Sequence, residues 1–176
     1  SDSLEDFVAA NQFSSAHILF IPLDEVACWE RHGYIRRTSF QFHWSNQDGW
    51  RHFDDYLGAM RAPYRKQIKK ERRQALSHGL NFSIVKGKDL KQEHIDALFT
   101  FYRTTIDKKW ASAYLTQDFF LSLGGALAHR VVATFAQKGN DFIAGALFFH
   151  KGQHLYGRYW GATLPLKALH FELCYY

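Results

Sequence analysis

The spacing of apolar residues in the second half of the chain predicts one long helix and a group of strands. Between residues 91 and 108, apolar side chains recur every three or four positions, which is typical of an amphipathic helix. The runs 129–137, 141–150 and 154–162 are strand-like and are separated by short Lys-Gly turns, so we expect an antiparallel meander. A last helix is predicted to start near Pro165 and to continue to the final residue.

The first half of the chain is predicted to hold shorter elements. Strands are predicted at 17–21, at 38–44 and at 81–87, the second of them from alternating polar and aromatic residues. Helices are predicted at 24–32, at 51–60 and from Pro63 to about His78. Together these elements predict an α+β fold in which a mixed sheet, with the meander at its centre, is flanked by helices.

Composition excludes several classes of protein. Hydrophobic residues make up 47% of the 176 residues and only three residues are proline, so a globular protein is expected rather than a disordered one. No run of 18 apolar residues occurs, and no membrane span is predicted. Cys28 and Cys174 are far apart and the first residues are acidic, which favours a reducing, cytoplasmic location. His150 and His154 lack a third ligand, so no metal site is predicted.

The net charge of +5 is concentrated in one short segment. Residues 61–73 hold seven basic residues and one acid, Glu71, which leaves about −1 for the rest of the chain. The seven are Arg61, Arg65, Lys66, Lys69, Lys70, Arg72 and Arg73. Two interpretations stay open: a solvated helix face whose long side chains cover apolar surface, or an anion-binding surface for phosphates, RNA or an acidic polymer.

The strand 154–162 carries an unusual combination of Arg and aromatic residues. Alternation along a strand predicts Tyr156, Arg158 and Trp160 on one face, with Tyr159 and Gly161 on the other. An Arg between two aromatic side chains forms either a cation–π arrangement on a solvated face or the wall of a pocket where Arg158 meets an anionic group.

The helix that follows this strand contains two candidate catalytic groups, His170 and Glu172. Positions two apart on a helix point about 200° apart, so the two side chains are not expected to share a pocket. A buried, unpaired Glu172 would be costly, and Arg158 is the predicted counter-ion.

Four segments of the sequence carry a family resemblance: YRKQIKKERRQALSHGL, FYRTTIDKKWASAYLTQDFF, IAGALFFHKGQHLYGRYWG and LHFELCYY. Together they resemble the bacterial N-acyltransferases labelled peptidoglycan biosynthesis/recognition. That group is a branch of the GNAT (acyl-CoA N-acyltransferase) superfamily and is similar to the Fem-type aminoacyl transferases. The resemblance extends from about Ser15 to Tyr176.

The resemblance implies a GNAT-like fold, in which helices precede a three-strand meander and a helix that receives the donor's pyrophosphate. Residues 1–50 would then be an amino-terminal segment or the end of a preceding GNAT-like half. Residues 51–176 would be a GNAT-like domain that is truncated after its donor-side helix. Residues 161–165 (GATLP) do not reproduce the GNAT pyrophosphate loop, so the donor stays open between acyl-CoA and aminoacyl-tRNA.

The resemblance also implies an activity, the transfer of an acyl or aminoacyl group to an amine on a small molecule or a cell-wall precursor. Five residues would line the pocket: Tyr156, Arg158, Tyr159, Trp160 and Gly161. Glu172 or His170 would serve as general base, and the basic helix would hold a polyanionic donor such as CoA or tRNA. The alternatives are a non-catalytic module that binds RNA or an anionic cell-wall polymer through the basic helix, and a small-molecule acyl-CoA binder.

Overall fold

The structure is a computed structural model that describes residues 2–108 and 112–176, with side chains from Leu4 onward. The chain divides into two units, residues 1–47 and 48–176, which are described separately. The assignment of the first segment to a preceding GNAT-like half stays a prediction.

The described part of the first unit contains two short helices, α1 (Asp2–Ala10) and α2 (Val26–Arg31). The helix predicted at 24–32 is therefore confirmed. The strands predicted at 17–21 and 38–44 are wrong, because neither segment is in a strand. A strand needs a partner for its backbone N–H and C=O groups, and alternation of side chains does not supply one.

The second unit contains a four-stranded sheet. Its strands are β1 (Asn81–Lys86), β2 (Val131–Lys138), β3 (Asp141–Lys151) and β4 (His154–Ala162), and they lie in the order β1-β2-β3-β4. The predicted meander β2–β4 is confirmed. Every described pairing is antiparallel, whereas a mixed sheet was expected.

The described part of the second unit also contains five α-helices. They are α3 (Phe53–Ala59), α4 (Ala62–Leu76), α5 (Gln92–Lys108), α6 (Gln117–Leu123) and α7 (Leu169–Cys174). Helix α5 covers one face of the sheet, where its Phe101 and Tyr102 form a core with Phe135 of β2. Helix α7 covers the other face, where Leu169 and Leu173 are buried. Helix α4 packs against α7, so the predicted basic helix is joined to the sheet through α7.

The last helix is shorter than the sequence predicts. It begins at Leu169 instead of near Pro165, and it ends at Cys174. The residue before it, Ala168, has φ = +64°, a left-handed conformation that interrupts any helix started at Pro165. Among the described helices, none combines the length and the apolar character needed to cross a membrane.

Candidate functional site

A β-bulge at Arg158 resets the alternation of side chains along β4. Gly157 pairs with Phe148 and Tyr159 pairs with Leu147, so Arg158 has no partner on β3. A bulge inserts one residue and turns the following side chains to the opposite face.

The bulge separates residues that the sequence predicts to lie together. Tyr156 pairs with Phe149 and therefore shares the α5 face with Tyr159. Trp160 faces the other way and packs with the α7 core. The predicted grouping of Tyr156, Arg158 and Trp160 on one face is therefore wrong, because plain alternation does not hold across a bulge.

Arg158, Tyr159, Tyr114 and Tyr102 form a cluster on the α5 side of β4, which we call the Tyr–Arg cluster. The hydroxyls of Tyr114 and Tyr159 lie 2.5 Å apart. Arg158 Nη2 donates to Tyr114 Oη at 3.1 Å, and the Arg158 guanidinium lies 4.9 Å from the centroid of the Tyr159 ring. The bulge makes this possible, because residues 158 and 159 of a regular strand would point to opposite faces.

Buried Tyr102 fixes the loop that carries Tyr114. The Tyr102 hydroxyl accepts hydrogen bonds from the backbone N–H groups of Tyr114 at 2.9 Å and Leu115 at 3.1 Å. Tyr102 is 1% exposed and its ring also contacts Tyr159, with centroids 5.1 Å apart. The exposed end of the cluster is therefore joined to the buried core through Tyr102.

The environment of Tyr159 keeps its hydroxyl protonated. Burial, followed by the hydrogen bond to Tyr114, raises the pKa of Tyr159 well above its ordinary value. When Tyr159 donates to Tyr114, the Tyr114 oxygen accepts from both Tyr159 and Arg158. The O–H of Tyr114 is then free to donate to a bound molecule.

No sequence pattern identifies Tyr114 or Tyr102 as members of this cluster. Tyr114 is 44 residues from Arg158 in the chain and lies in a loop without periodicity, whereas Tyr102 is one of several apolar-face residues of α5. Only the three-dimensional packing of α5 against β4 brings them to the bulge.

His170 lies on the other side of the sheet from the Tyr–Arg cluster. Its ring packs on Trp160 of the α7 face, with centroids 4.8 Å apart. Burial lowers the pKa of His170 below its ordinary value, so the ring is held neutral at neutral pH. His170 and Trp160 therefore form a pair of their own, apart from Arg158 and Tyr159.

The half-buried His170 predicts that the free energy of unfolding falls as the pH is lowered. A His whose pKa is lowered by folding stabilises the folded protein fully above its unfolded pKa, near 6.5, and loses that contribution as the pH falls below it. We expect the free energy of unfolding, measured with urea, to decrease between pH 7.5 and 5.5. This decrease should be smaller in His170→Gln. It should also be smaller in His94→Gln, because burial also lowers the pKa of His94. Identical pH dependence in wild type and both variants would contradict this.

Glu172 pairs with Arg72 of the basic helix, not with Arg158 as predicted. Its two carboxylate oxygens accept from Arg72 Nε at 3.2 and 3.1 Å, and Arg72 Nη2 donates to Oε1 at 3.0 Å. The Glu172 side chain is only 8% exposed. Helix α4 packs against α7 and brings Arg72 to this carboxylate. The two residues are 100 positions apart in the chain, so no local sequence pattern predicts the pair.

Two of the remaining predicted pocket residues have other surroundings. Gly161 is buried where β4 crosses α5, and a side chain there would overlap the Phe101 carbonyl group. Tyr156 is exposed towards the hairpin and stacks on His154, with centroids 6.0 Å apart. Of the five predicted pocket residues, the structure thus brings only Arg158 and Tyr159 together.

The seven cations of the basic segment fall into distinct groups. Arg72 binds Glu172, and Arg65 Nη1 donates to the carbonyls of Gly58 and Met60 at 3.3 Å, at the end of α3. Arg61 precedes α4 and is exposed. Four exposed residues lie on one side of α4, within about 100° of each other, and are called the basic stripe: Lys66, Lys69, Lys70 and Arg73. Within the described part of the chain, no carboxylate forms an ion pair with them.

Two grooves lie beside α7, and neither is lined by Arg158. One, of about 400 Å³, lies between α4 and α7 and is lined by Tyr64 and Phe171 among others. The second, of about 440 Å³, lies over the α7 face of the sheet, where Glu172 and Leu155 contribute to its walls. Among the described residues, no cluster of three or more His, Cys, Asp or Glu side chains could hold a metal ion.

The fold and these surfaces define an α+β protein with a four-stranded antiparallel sheet, a bulged edge strand and an exposed basic stripe. A family model for FemAB-like proteins, described as peptidoglycan biosynthesis/recognition, matches residues 1–176. The chain belongs to the FemAB-like family, and its predicted relation to the Fem-type proteins is confirmed. No curated protein matches the chain.

Proposed function

We propose that the protein is an N-acyltransferase that moves an acyl or aminoacyl group from a CoA thioester or an aminoacyl-tRNA to an amine. The family description, peptidoglycan biosynthesis/recognition, supports an amine of a small molecule or a cell-wall precursor as acceptor. The order of elements also supports it, because helices α5 and α6 precede the β2–β4 meander and α7 follows it, as expected of a GNAT-like domain. Such donors place the reaction in the cytoplasm.

The Tyr–Arg cluster at the bulge is the observation that carries this proposal. In acyl transfer, an amine nitrogen attacks the carbonyl carbon, a C–N bond forms and the C–S or C–O bond to the donor breaks, and the proton lost by the amine ends on the leaving thiolate or ribose oxygen. Negative charge builds up on the carbonyl oxygen, and a fixed hydrogen-bond donor stabilises it. The O–H of Tyr114, held by Tyr159 and by the loop bonds to Tyr102, suits that task.

The other predicted site residues receive different roles in this proposal. Glu172 anchors α7 to α4 through Arg72, since both of its oxygens already accept hydrogen bonds, and we do not assign it as general base. His170 stays neutral but lies on the face opposite the cluster, so it supports Trp160 and not the reacting amine. Gly161 allows the close contact of β4 with α5.

Titration of the protein with acetyl-CoA and, separately, with deacylated tRNA tests the donor. Binding of acetyl-CoA selects a thioester donor, and binding of tRNA selects an aminoacyl-tRNA donor. Inorganic phosphate at the same phosphate concentration controls for general anion binding. If neither acetyl-CoA nor tRNA binds more tightly than this control, the proposed transferase function is wrong.

The basic stripe favours a second candidate function, a module that binds RNA or an anionic cell-wall polymer without transfer. Its four cations are exposed, share one helix side and have no described ion-pair partner. Repulsion among such neighbours is unfavourable by a few tenths of a kcal/mol per pair, and a bound polyanion relieves it.

We expect Lys69→Ala with Lys70→Ala to weaken binding to tRNA and to reduce the slope of log K against log[salt] by about 2, because each lysine neutralises about one phosphate. Lys138→Ala with Lys151→Ala, which removes two exposed lysines from the hairpins, is the matched control and should leave the slope unchanged. Equal slopes in all three proteins would show that the stripe is an ordinary solvated face. Arg65 is unsuitable for this test because it holds the end of α3.

A further inference from the structure

The guanidinium of Arg158 is held by contacts with two tyrosines and still has unused donors. One nitrogen, Nη2, binds Tyr114, and the ring of Tyr159 lies beneath the group. Arg has five N–H donors in a planar fork, so most of them remain after the bond to Tyr114. Within residues 2–108 and 112–176, no carboxylate forms an ion pair with Arg158, and the side chain is exposed. The group therefore has a charge, an orientation and room for an anion.

Preorganisation distinguishes Arg158 from an ordinary surface arginine. A free arginine loses side-chain entropy when it binds an anion, but Tyr114 and Tyr159 already restrict this one. Tyr114 is in turn held through its backbone by Tyr102, which is buried in the core. The restriction thus extends from the core to the guanidinium, as expected of a binding group and not of a solvated side chain.

The charge around the fork favours a carboxylate over a phosphate. The Arg guanidinium forms bidentate pairs with carboxylates and with phosphates, so the number of charges around it decides between the two. The groups that touch it, the Tyr114 hydroxyl and the Tyr159 ring, add no second cation, so the cluster presents a single positive charge. The basic stripe on α4 presents four cations together and is the better phosphate surface.

We propose that Arg158 is the binding site for a carboxylate carried by the acceptor, so that the acceptor is an amino acid or peptide amine with a free carboxylate. This inference rests on the proposed transferase function, because the reacting carbonyl is assigned to the neighbouring hydroxyl of Tyr114. Arg158 selects and orients the acceptor. The Tyr114 hydroxyl beside it donates a hydrogen bond to the carbonyl oxygen of the acyl group.

The test compares two probes that differ only in charge, Nα-acetyl-lysine and Nα-acetyl-lysine amide. Their side-chain amines are equivalent, so a difference in affinity reports on the carboxylate alone. Dissociation constants are measured by NMR titration of the ¹⁵N-labelled full chain, without donor. We expect the carboxylate probe to bind at least about ten-fold more tightly than the amide. Arg158→Gln should abolish that preference, and Arg158→Lys, which keeps the charge but not the fork, should retain part of it.

Arg130→Gln, which alters another exposed arginine, is the control and should keep the wild-type preference. Equal affinities for the two probes, no binding of either, or a preference that survives Arg158→Gln would overturn the inference. Inorganic phosphate binding at Arg158 as tightly as the carboxylate probe would also overturn it. Amide formation from acetyl-CoA or aminoacyl-tRNA is measured separately, so failure of the carboxylate site and failure of the transferase function are distinguished.

Discussion

Gly161→Ala is expected to lower the free energy of unfolding by about 3 kcal/mol or more, because β4 and α5 meet at this residue without space for a side chain. A Cβ at position 161 would overlap the Phe101 carbonyl oxygen and lie 2.6 Å from the carbonyl carbon. Both are backbone atoms of a helix, so neither can move aside as a flexible side chain would. Urea denaturation of wild type and variant measures the change.

Gly157→Ala is the matched control, because it makes the same substitution in the same strand. The nearest atoms to a Cβ at position 157 are ring carbons of Phe148 at 3.7 and 3.8 Å, which is ordinary van der Waals distance. Alanine is less costly than glycine within a strand, so we expect no decrease in stability or a small increase. Similar decreases in the two variants would show that β4 does not lie closely against α5.

Arg72→Ala is expected to lower the free energy of unfolding by about 2–3 kcal/mol, because it leaves the carboxylate of Glu172 buried without its partner. The value is at the low end for a broken buried pair, since the Arg72 side chain is 35% exposed. The substitution also removes the guanidinium from the Phe53 ring, whose centroid lies 4.8 Å away. Urea denaturation again provides the measurement.

A double-mutant cycle separates the ion pair from these other effects. Glu172→Gln in the Arg72→Ala background removes the unpaired charge, so it should recover stability, whereas Glu172→Gln alone should reduce it. Arg73→Ala, which removes the exposed neighbour of Arg72, should change stability by less than about 0.5 kcal/mol. Additive effects of the two substitutions would contradict a direct pair between Arg72 and Glu172.

Local patterns predict the elements of the second unit because those elements have clear periodicity and turn residues. The helix expected at 91–108 is found at Gln92–Lys108, and the three strands of the meander lie within two residues of their expected bounds. Gly139 and Gly152 adopt the positive φ that tight hairpin turns require. The strand expected at 38–44 fails because alternation describes one strand, while a sheet needs two.

The candidate site is predicted less well because it depends on one inserted residue and on contacts distant in the chain. The bulge at Arg158 places Trp160 on the face opposite Tyr156, and no pattern of side chains in the sequence predicts a bulge. The partner of Glu172 is Arg72, whose position depends on how α4 packs against α7. The sequence correctly identifies Arg158 and Glu172 as groups that need partners, but it assigns them to each other.

The rate of amide formation by the full chain is the most direct test of the proposed acyl transfer, in which Tyr114 donates a hydrogen bond to the reacting carbonyl. Acetyl-CoA and an aminoacyl-tRNA serve as donors, Nα-acetyl-lysine serves as acceptor, and the product is detected by mass spectrometry. If Tyr114 donates to the reacting carbonyl, transfer occurs in wild type and Tyr114→Phe lowers kcat about 100-fold. Tyr64→Phe, which removes an exposed hydroxyl from α4, should leave kcat unchanged. No amide from either donor, or equal kcat in Tyr114→Phe and wild type, would contradict the claim.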